Sequence, residues 1–257
     1  MFTNQLITVC KNLKLSSIAS YAQAACEQAR RQQQSYEEFL FELINQEYEE
    51  RLERRINKRI KEAKFPKIKT LDSFDFNRES AAHLPETLIR SLSEGHYIKE
   101  AQSIILLGEP GTGKTHIACA LGYCAAQQGK TVRFITGSQL VNQLIEAKDN
   151  RELHRITQQY QTYQVLIVDE LGYLPFANTD AELLFQVLSA RHEQASTIIT
   201  TNLPFSEWTS IFLDHRLCKA LIDRLTHKAH IIDTGEQSNR FMEAIAKFNE
   251  SKNKEKK

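Results

Sequence analysis

The sequence predicts an α/β fold on a central parallel five-stranded sheet, preceded by a small all-helical region. Residues 1–63 contain no glycine or proline and carry apolar residues at helical spacing. From about residue 80, short apolar runs alternate with helix-like segments, which is typical of a parallel sheet covered by helices on both faces. The 257 residues, 41% of them hydrophobic, are enough for one sizeable core and a small second domain.

The helical region is predicted to end in one long helix. Ser35 and Glu38 form a capping-box pattern at its start. Apolar residues then recur at helical spacing, at positions 36, 39, 40, 43, 44, 48, 52, 56 and 60. The first half has enough apolar surface to pack, whereas the second half is mostly charged and is expected to be exposed. Pro66 ends the helix, and the segment after it is expected to dock on the next domain through three apolar residues. These are Leu71, Phe74 and Phe76.

Five apolar runs are the strand candidates of the sheet. They lie at residues 103–107, 131–135, 164–168, 196–201 and, more weakly, 229–232. The first run leads into a glycine-rich loop, and a helix-like segment that stops at Gly129 follows the loop. A strand, a loop and a helix in this order suit the binding of an anion at the helix N-terminus.

The glycine-rich loop "GEPGTGKT" matches the pattern G-x-x-x-x-G-K-[ST]. Its glycines let the backbone turn so that several N–H groups point at one centre, where they suit phosphate oxygens. Lys114 adds a positive charge for the β- and γ-phosphates, and the Thr115 hydroxyl is placed to bind Mg²⁺. We therefore predict a nucleotide-binding loop made of nine consecutive residues: Gly108, Glu109, Pro110, Gly111, Thr112, Gly113, Lys114, Thr115 and His116.

Two carboxylates end the third apolar run. Asp169, at a strand end beside such a loop, is suited to hold Mg²⁺ together with Thr115. The adjacent Glu170 is suited to polarise an attacking water as a general base. A switch-type GTPase more often positions its water with glutamine. The Asp–Glu pair therefore indicates hydrolysis of ATP.

Three further polar residues are candidates for the same site. Asn202 ends the fourth run, where an amide on the carboxyl edge of the sheet would lie near the γ-phosphate and orient water together with Glu170. Arg224, on a helix, and Arg240, beyond the last strand, could each stabilise charge on a phosphoryl group. A surface salt bridge is the default interpretation of a lone helical arginine, so spacing alone assigns neither.

The net charge of +1 is unevenly distributed, because residues 51–69 hold nine basic and two acidic side chains. Such a stretch favours nucleic-acid phosphates over a merely solvated helix face. The DNA-binding candidates are Arg51, Arg54, Arg55, Lys58, Arg59 and Lys61. The Lys-rich residues 247–257 are expected to be a disordered tail.

Neither a membrane-length apolar run nor a secretory signal is present in the sequence. The five cysteines include no C-x-x-C pair. Both observations favour a reduced, cytoplasmic protein without a membrane partner.

Taken together, five segments resemble the IstB-like ATPases of insertion sequences: GEPGTGKTH, VLIVDELGYLP, STIITTNLPFSEW, LIDRLTHKAHII and GEQSNRF. These ATPases are transposition helper proteins of the AAA+ class, related to the DnaC-type loaders of replicative helicases. The resemblance extends from about residue 10 to 245. It implies a helical DNA-binding and oligomerisation domain over residues 1–65, a linker over 66–80 and an AAA+ ATPase domain over 81–246.

The resemblance also implies roles for single residues. Asn202 matches the sensor-1 position, and Arg224 matches an arginine finger that acts across a subunit boundary. Arg240 matches a sensor-2 position, although Gln237 is inserted and Asn239 replaces tyrosine where the family often reads Gly-Glu-Ser-Tyr-Arg.

The family implies a homo-oligomer that depends on ATP and Mg²⁺, assembles on duplex DNA, bends it, and recruits and stimulates a transposase. A DnaC-type helicase-loading ATPase is the alternative, since it would use the same ATP-hydrolysing site. A small-molecule P-loop kinase is a further alternative, but it has less use for Glu170 as a water-activating base.

Overall fold

The computed structural model describes residues 2–78, 81, 83–172, 178–210, 212 and 214–236. The chain divides into two compact units, Met1–Lys58 and Arg59–Lys257. The domain boundaries expected at residues 65 and 80 stay predictions. No helix in the described part of the chain combines the length and the apolar character that a bilayer crossing requires.

The first unit is helical. Its helices are α1 (Phe2–Asn12), α2 (Ser16–Gln32) and α3 (Tyr36–Ala63), of which α3 extends beyond the unit's last residue. A small core contains the buried residues Cys10, Ile18 and Ala22. The predicted capping box is confirmed, because the Glu38 N–H donates to Ser35 Oγ and Glu38 Oε2 accepts from the Ser35 N–H.

A buried carboxylate on α3 holds the start of α2. Glu47 is 4% exposed, and its Oε2 accepts from the N–H groups of Ser17 at 2.8 Å and Ile18 at 3.1 Å. Arg51 Nε donates to Glu47 Oε1 at 2.6 Å. Burial alone raises the pKa of Glu47, but the bonds from Arg51 and from the two amides outweigh it and lower the pKa.

The first half of α3 packs less than its apolar pattern predicts. Five of its apolar or aromatic side chains are more than half exposed: Tyr36, Leu40, Phe41, Ile44 and Tyr48. The packing of this part depends instead on Leu43, at the small core, and on the buried Glu47.

The second unit is built on a parallel sheet of five strands in the order β2-β3-β4-β1-β5. The strands are β1 (Ile104–Leu107), β2 (Val132–Thr136), β3 (Val165–Asp169), β4 (Ser196–Thr201) and β5 (His230–Asp233). The predicted fold class is confirmed. This order puts β4 between β3 and β1, so the carboxyl ends of these three strands lie side by side.

Helices cover both faces of this sheet. They are α4 (Glu86–Ser93), α5 (His96–Lys99), α6 (Lys114–Gln127), α7 (Gly137–Asp149), α8 (Leu153–Gln161), α9 (Asn178–Arg191) and α10 (His215–Thr226), with a 3-10 helix at Phe205–Ser210. Ile104 and Leu106 enter a core shared with α4, α5 and α6, whereas Ile105 enters a core shared with α7 to α10. Side chains alternate between the faces of a strand, and both faces are buried, which explains the continuous apolar runs.

The segment after α3 packs into the core beside α6. Leu71, Phe74 and Phe76 are buried in the same cluster as α6, which confirms the expected docking. Phe65 lies against Gly122, where an added Cβ would be 3.1 Å from the Phe65 ring. This segment therefore follows α6 towards the glycine-rich loop at the start of that helix.

Candidate functional site

The predicted loop and strand ends meet in one cleft. The cleft has a volume of about 420 Å³, and its lining includes Lys114, Thr115, Glu170 and Asn202. These residues are distant in sequence and lie together because β1, β3 and β4 are neighbours in the sheet. The cleft is therefore at the carboxyl edge of the sheet, where open α/β sheets bind ligands.

The loop has a conformation that requires glycine. Gly108 has φ +137°, and a Cβ there would lie 2.5 Å from Thr234 Oγ1. Gly113 has φ +109°, and a Cβ there would lie 2.6 Å from Phe74 Cε2. Side chains are therefore excluded at both positions. Gly111 and Gly113 line the cleft with backbone alone, so a phosphate can approach the main chain closely.

The Lys114 ammonium group is fixed in the lining of the cleft. The residue is 8% exposed, and Nζ donates to the carbonyl oxygens of Gly108 at 2.5 Å and Glu109 at 2.8 Å. A phosphate oxygen would be a stronger acceptor for this ammonium than a neutral carbonyl. Glu109 and Pro110 are exposed at the tip of the loop.

The two predicted Mg²⁺ ligands are in contact. Thr115 Oγ1 donates to Asp169 Oδ1 at 2.9 Å, and Asp169 is 5% exposed. A hydroxyl and a carboxylate at this separation are the hard oxygen ligands that Mg²⁺ prefers, so the residues fit the predicted metal.

A threonine that the sequence did not indicate completes this contact. Thr200 is fully buried, and its Oγ1 donates to Asp169 Oδ1 at 2.6 Å. The same oxygen accepts the Glu170 N–H at 2.8 Å. A lone threonine in an apolar strand has no distinguishing pattern, and only the pairing of β3 with β4 brings it to the carboxylates.

Glu170 leaves the strand in a strained backbone conformation. Its φ is +54°, which is uncommon for a residue with a side chain and is concentrated at functional sites. The side chain is exposed and lines the cleft. The Leu171 N–H donates to the Thr200 carbonyl oxygen at 2.8 Å and, with the Glu170 bond, holds this turn. Glu170 is thus accessible to water directly beside Asp169.

The other predicted catalytic residues are in different positions. Asn202 lines the cleft at the end of β4. Arg224 lies on the exposed surface of α10, where Nη1 donates to Ser189 Oγ at 2.6 Å and Cζ is 4.9 Å from the centre of the Phe185 ring. Among the described residues, Arg224 is not one of those that line the cleft. Arg240 lies outside the described residues.

The hydroxyl groups of Thr112 and Thr234 stabilise the glycine-rich loop. Thr112 Oγ1 lies 2.6 Å from Thr234 Oγ1, and Thr234 Oγ1 donates to the Leu107 carbonyl oxygen at 2.8 Å. With that proton on Leu107, Thr112 Oγ1 is the donor to Thr234 Oγ1, and the Glu109 carbonyl oxygen lies 2.9 Å from the same Thr112 oxygen. The Thr112 side chain, which is 2% exposed, therefore ties the loop to the chain after β5.

His116 faces the segment that follows α3. Its Nε2 lies 2.9 Å from the Thr70 carbonyl oxygen, so this nitrogen carries the proton, because a carbonyl can only accept. The Phe74 ring makes an edge contact with the imidazole, with 5.1 Å between ring centres. Burial is the main cause that lowers the pKa of His116; the bond to Thr70 opposes it, and the charges of Lys69 and Arg78 lower the pKa further.

Two of the predicted DNA-binding arginines make contacts inside the helical unit. Arg51 binds Glu47, and its Nη2 also donates to the carbonyl oxygen of Lys14. Arg54 donates to the hydroxyls of Ser16 at 2.8 Å and Ser17 at 3.0 Å. Both guanidinium groups therefore stabilise the contact between α2 and α3.

The remaining candidates lie further along α3. Arg59 pairs with Glu62 at 3.2 Å. Arg55, Lys58 and Lys61 have exposed side chains. Because these three side chains are exposed, they are accessible to phosphates outside the protein.

The sheet order, the glycine loop leading into α6 and the acidic end of β3 define a P-loop nucleotide-binding protein. The crystal structure of the DnaC helicase loader has the same fold, with a TM-score of 0.55 and 24% identity over 64% of this chain and 95% of that chain. The chain therefore shares the fold of this loader.

The chain belongs to the family described as IstB-like ATP binding protein, whose model matches residues 8–246. A relative from Pseudomonas aeruginosa, named for insertion sequence IS21 and for ATP binding, is 36% identical over 93% of this chain and 90% of its own length. A Geobacillus stearothermophilus relative, named for insertion sequence IS5376 and for ATP binding, is 38% identical over 91% of this chain and 92% of its own length. The predicted family is confirmed.

Proposed function

We propose that this protein is an ATP-hydrolysing helper of DNA transposition. It binds ATP with Mg²⁺, oligomerises on duplex DNA, remodels that DNA and recruits and stimulates a transposase. The observation that carries the proposal is the contact of Thr115 Oγ1 with Asp169 Oδ1 at 2.9 Å, with Glu170 and Asn202 in the same cleft. The names of the relatives, which combine an insertion sequence with ATP binding, supply the biological setting.

The residues of the cleft have separate roles in ATP binding or hydrolysis. Lys114 and the glycine backbone bind the phosphates, and Thr115 and Asp169 hold Mg²⁺, which when bound neutralises charge on the terminal phosphates. Glu170 takes a proton from the attacking water, and the Asn202 amide orients that water. Arg224 of a neighbouring subunit supplies positive charge to the transferred phosphoryl group.

The first test is ATP turnover by the purified full chain, with and without duplex DNA and with no small-molecule acceptor. We expect turnover that depends on Mg²⁺ and rises with duplex DNA. Lys114→Ala should abolish ATP-dependent assembly, because the phosphates lose their main fixed positive charge. Normal ATP affinity and normal oligomers in that variant would contradict the assignment of the loop.

A second variant isolates the chemical step. Glu170→Gln keeps the shape of the side chain and loses the base, so it should bind ATP, hydrolyse it at least about a hundredfold more slowly and stay on DNA longer than wild type. Unchanged turnover would make Glu170 structural and place the general base elsewhere.

The alternative is a DnaC-type helicase-loading ATPase, which would have the same fold. Stimulation by single-stranded DNA and a replicative helicase, with no response to duplex DNA or to the transposase of the same element, would favour that alternative.

A further inference from the structure

Two lysines of the segment that follows α3 line the nucleotide cleft. Lys67 and Lys69 share its lining with Lys114, Thr115 and Glu170. Both belong to the basic stretch for which the sequence favoured DNA. The segment that carries them docks beside α6.

Lys69 lines the cleft together with two side chains of α6, His116 and Cys119. Its charge acts on His116 and on Cys119, two side chains about one turn apart on α6. Burial raises the pKa of the Cys119 thiol to about 12; the charge of Asp169 also raises this pKa, and that of Lys69 lowers it.

The backbone at Lys69 is anchored. The next residue, Thr70, receives the Nε2–H of His116 on its carbonyl oxygen at 2.9 Å. The Thr70 N–H donates to Ser73 Oγ at 3.2 Å. Phe74 is buried against the loop at Gly113. The lysine thus extends from a fixed point on the cleft wall.

The Lys69 ammonium has no anionic partner among the described residues. Over the ranges that the structure describes, neither Lys67 nor Lys69 forms an ion pair or donates a side-chain hydrogen bond, although Lys69 is half-buried. Lys114 differs, because two carbonyl oxygens accept from it. A cation that has lost part of its hydration without gaining a partner is stabilised by any anion that enters the cleft.

We propose that Lys69 binds the terminal phosphate of the nucleotide held in the same subunit, and that Lys67, which is exposed, contributes less. This rests on the function proposed above and adds a second lysine to the phosphate site. The terminal phosphate is the one expected beside Thr115 and Glu170. Lys69 would therefore distinguish ATP from ADP, and it would make the segment directly after α3 in the chain respond to hydrolysis.

The test compares Lys69→Gln with Lys69→Arg and with a control in the same segment. Lys64→Gln is the matched control, because Lys64 is exposed and is not among the described residues that line the cleft. The measured quantities are the Kd values of the full-length chain for a non-hydrolysable ATP analogue and for ADP, both with Mg²⁺. We expect Lys69→Gln to weaken binding of the ATP analogue about tenfold and to leave ADP within about twofold, because one charge-assisted contact to the terminal phosphate is lost. Lys69→Arg and Lys64→Gln should stay near wild type.

Three results would overturn the assignment of Lys69. Equal losses for the ATP analogue and ADP would show that it contacts an inner phosphate or only supports the fold. Unchanged nucleotide affinities would remove it from the phosphate site. Unchanged affinities with a flatter salt dependence of DNA binding would show that the phosphates it meets are those of DNA. A wild-type chain that binds no ATP would refute the proposed function itself, whereas the other results refute Lys69 alone.

Discussion

At the scale of single residues, Thr200 connects the carboxylate of Asp169 to the backbone of Glu170. Its hydroxyl donates to Asp169 and accepts from the backbone of Glu170, so one buried side chain orients the proposed Mg²⁺ ligand and the turn that carries the proposed base. Groups that hold a metal ligand in place often affect activity almost as much as the ligand does.

Thr200→Val keeps the shape of this side chain and removes the hydroxyl. We expect ATP hydrolysis to fall about tenfold and the free energy of unfolding to fall by about 1–2 kcal/mol, because the Glu170 N–H loses its acceptor. ATP binding should persist through the loop. Turnover assays and urea unfolding measure these changes.

Thr197→Val is the control for Thr200→Val, because Thr197 is buried in the same strand and its hydroxyl accepts from Arg191 Nε at 3.3 Å. If both variants lose hydrolysis equally, Thr200 acts only through stability.

His116 makes the stability of the second unit depend on pH. Its pKa in the folded chain is lowered from 6.5, so the unfolded chain binds a proton more readily than the folded one. The contribution of His116 to the free energy of unfolding should therefore be constant above about pH 6.5 and fall as the pH decreases below it. Urea unfolding at pH 7.5 and 5.5 should show a smaller loss for His116→Gln than for wild type. His154→Gln, at an exposed position of α8, controls for the removal of a histidine; an identical loss in all three proteins would exclude this origin.

At the scale of elements, two groups of charged residues on α3 have different surroundings. Glu47, Arg51 and Arg54 bind the start of α2, whereas Arg55, Lys58 and Lys61 are exposed. A test of DNA binding must therefore leave the first three intact, because their removal also weakens the helical unit.

The triple variant Arg55→Gln, Lys58→Gln and Lys61→Gln should bind duplex DNA more weakly at all sequences. The slope of log affinity against log salt should flatten by about 0.9 for each phosphate contact removed. ATP binding by isolated subunits should not change. Arg30→Gln with Arg31→Gln, on exposed positions of α2, is the control for lost charge. A slope equal to that of wild type would make this part of α3 a solvated face.

At the scale of the whole molecule, the position of Arg224 bears on whether the proposed active site is shared between subunits. Arg224 is held on α10 by Ser189 and Phe185 and, among the described residues, is not in the cleft lining. An exposed arginine fixed in this way is suited to meet a phosphoryl group in another subunit. The proposed active site is then complete only in an oligomer.

Arg224→Ala should leave nucleotide binding largely intact and remove most hydrolysis, since arginine fingers contribute on the order of 10³–10⁵ in rate in related reactions.

An experiment with mixed subunits tests whether Arg224 acts on the nucleotide of a neighbouring subunit. Arg224→Ala subunits keep an intact nucleotide-binding loop, and Lys114→Ala subunits keep an intact arginine finger. Mixtures should regain turnover that neither variant shows alone. Arg216→Ala, on the exposed first turn of α10, should behave like wild type. If the two variants assemble together on DNA and no activity returns at any ratio, Arg224 does not act in trans.

The sequence by itself determined the fold class, the family and the phosphate-binding loop. Five buried strands require apolar runs, and a loop that turns its backbone towards phosphate requires glycines at set spacing, so both leave local patterns. The observed strands lie within one residue of the expected positions. Asp169 and Glu170 could be identified as candidate site residues because two acidic residues directly follow an apolar run.

Only the tertiary structure decided which polar residues surround that loop. Thr200 meets Asp169 because β4 pairs with β3, and Lys69 reaches the cleft because the segment after α3 docks beside α6. Arg51 stabilises the helical unit through Glu47, a contact that its place in a basic stretch does not reveal, and its contact with DNA stays a prediction. Some of these contacts join residues that are far apart in the chain, and others depend on which face of a helix is covered. Contacts of both kinds leave no periodic or compositional signal in the sequence.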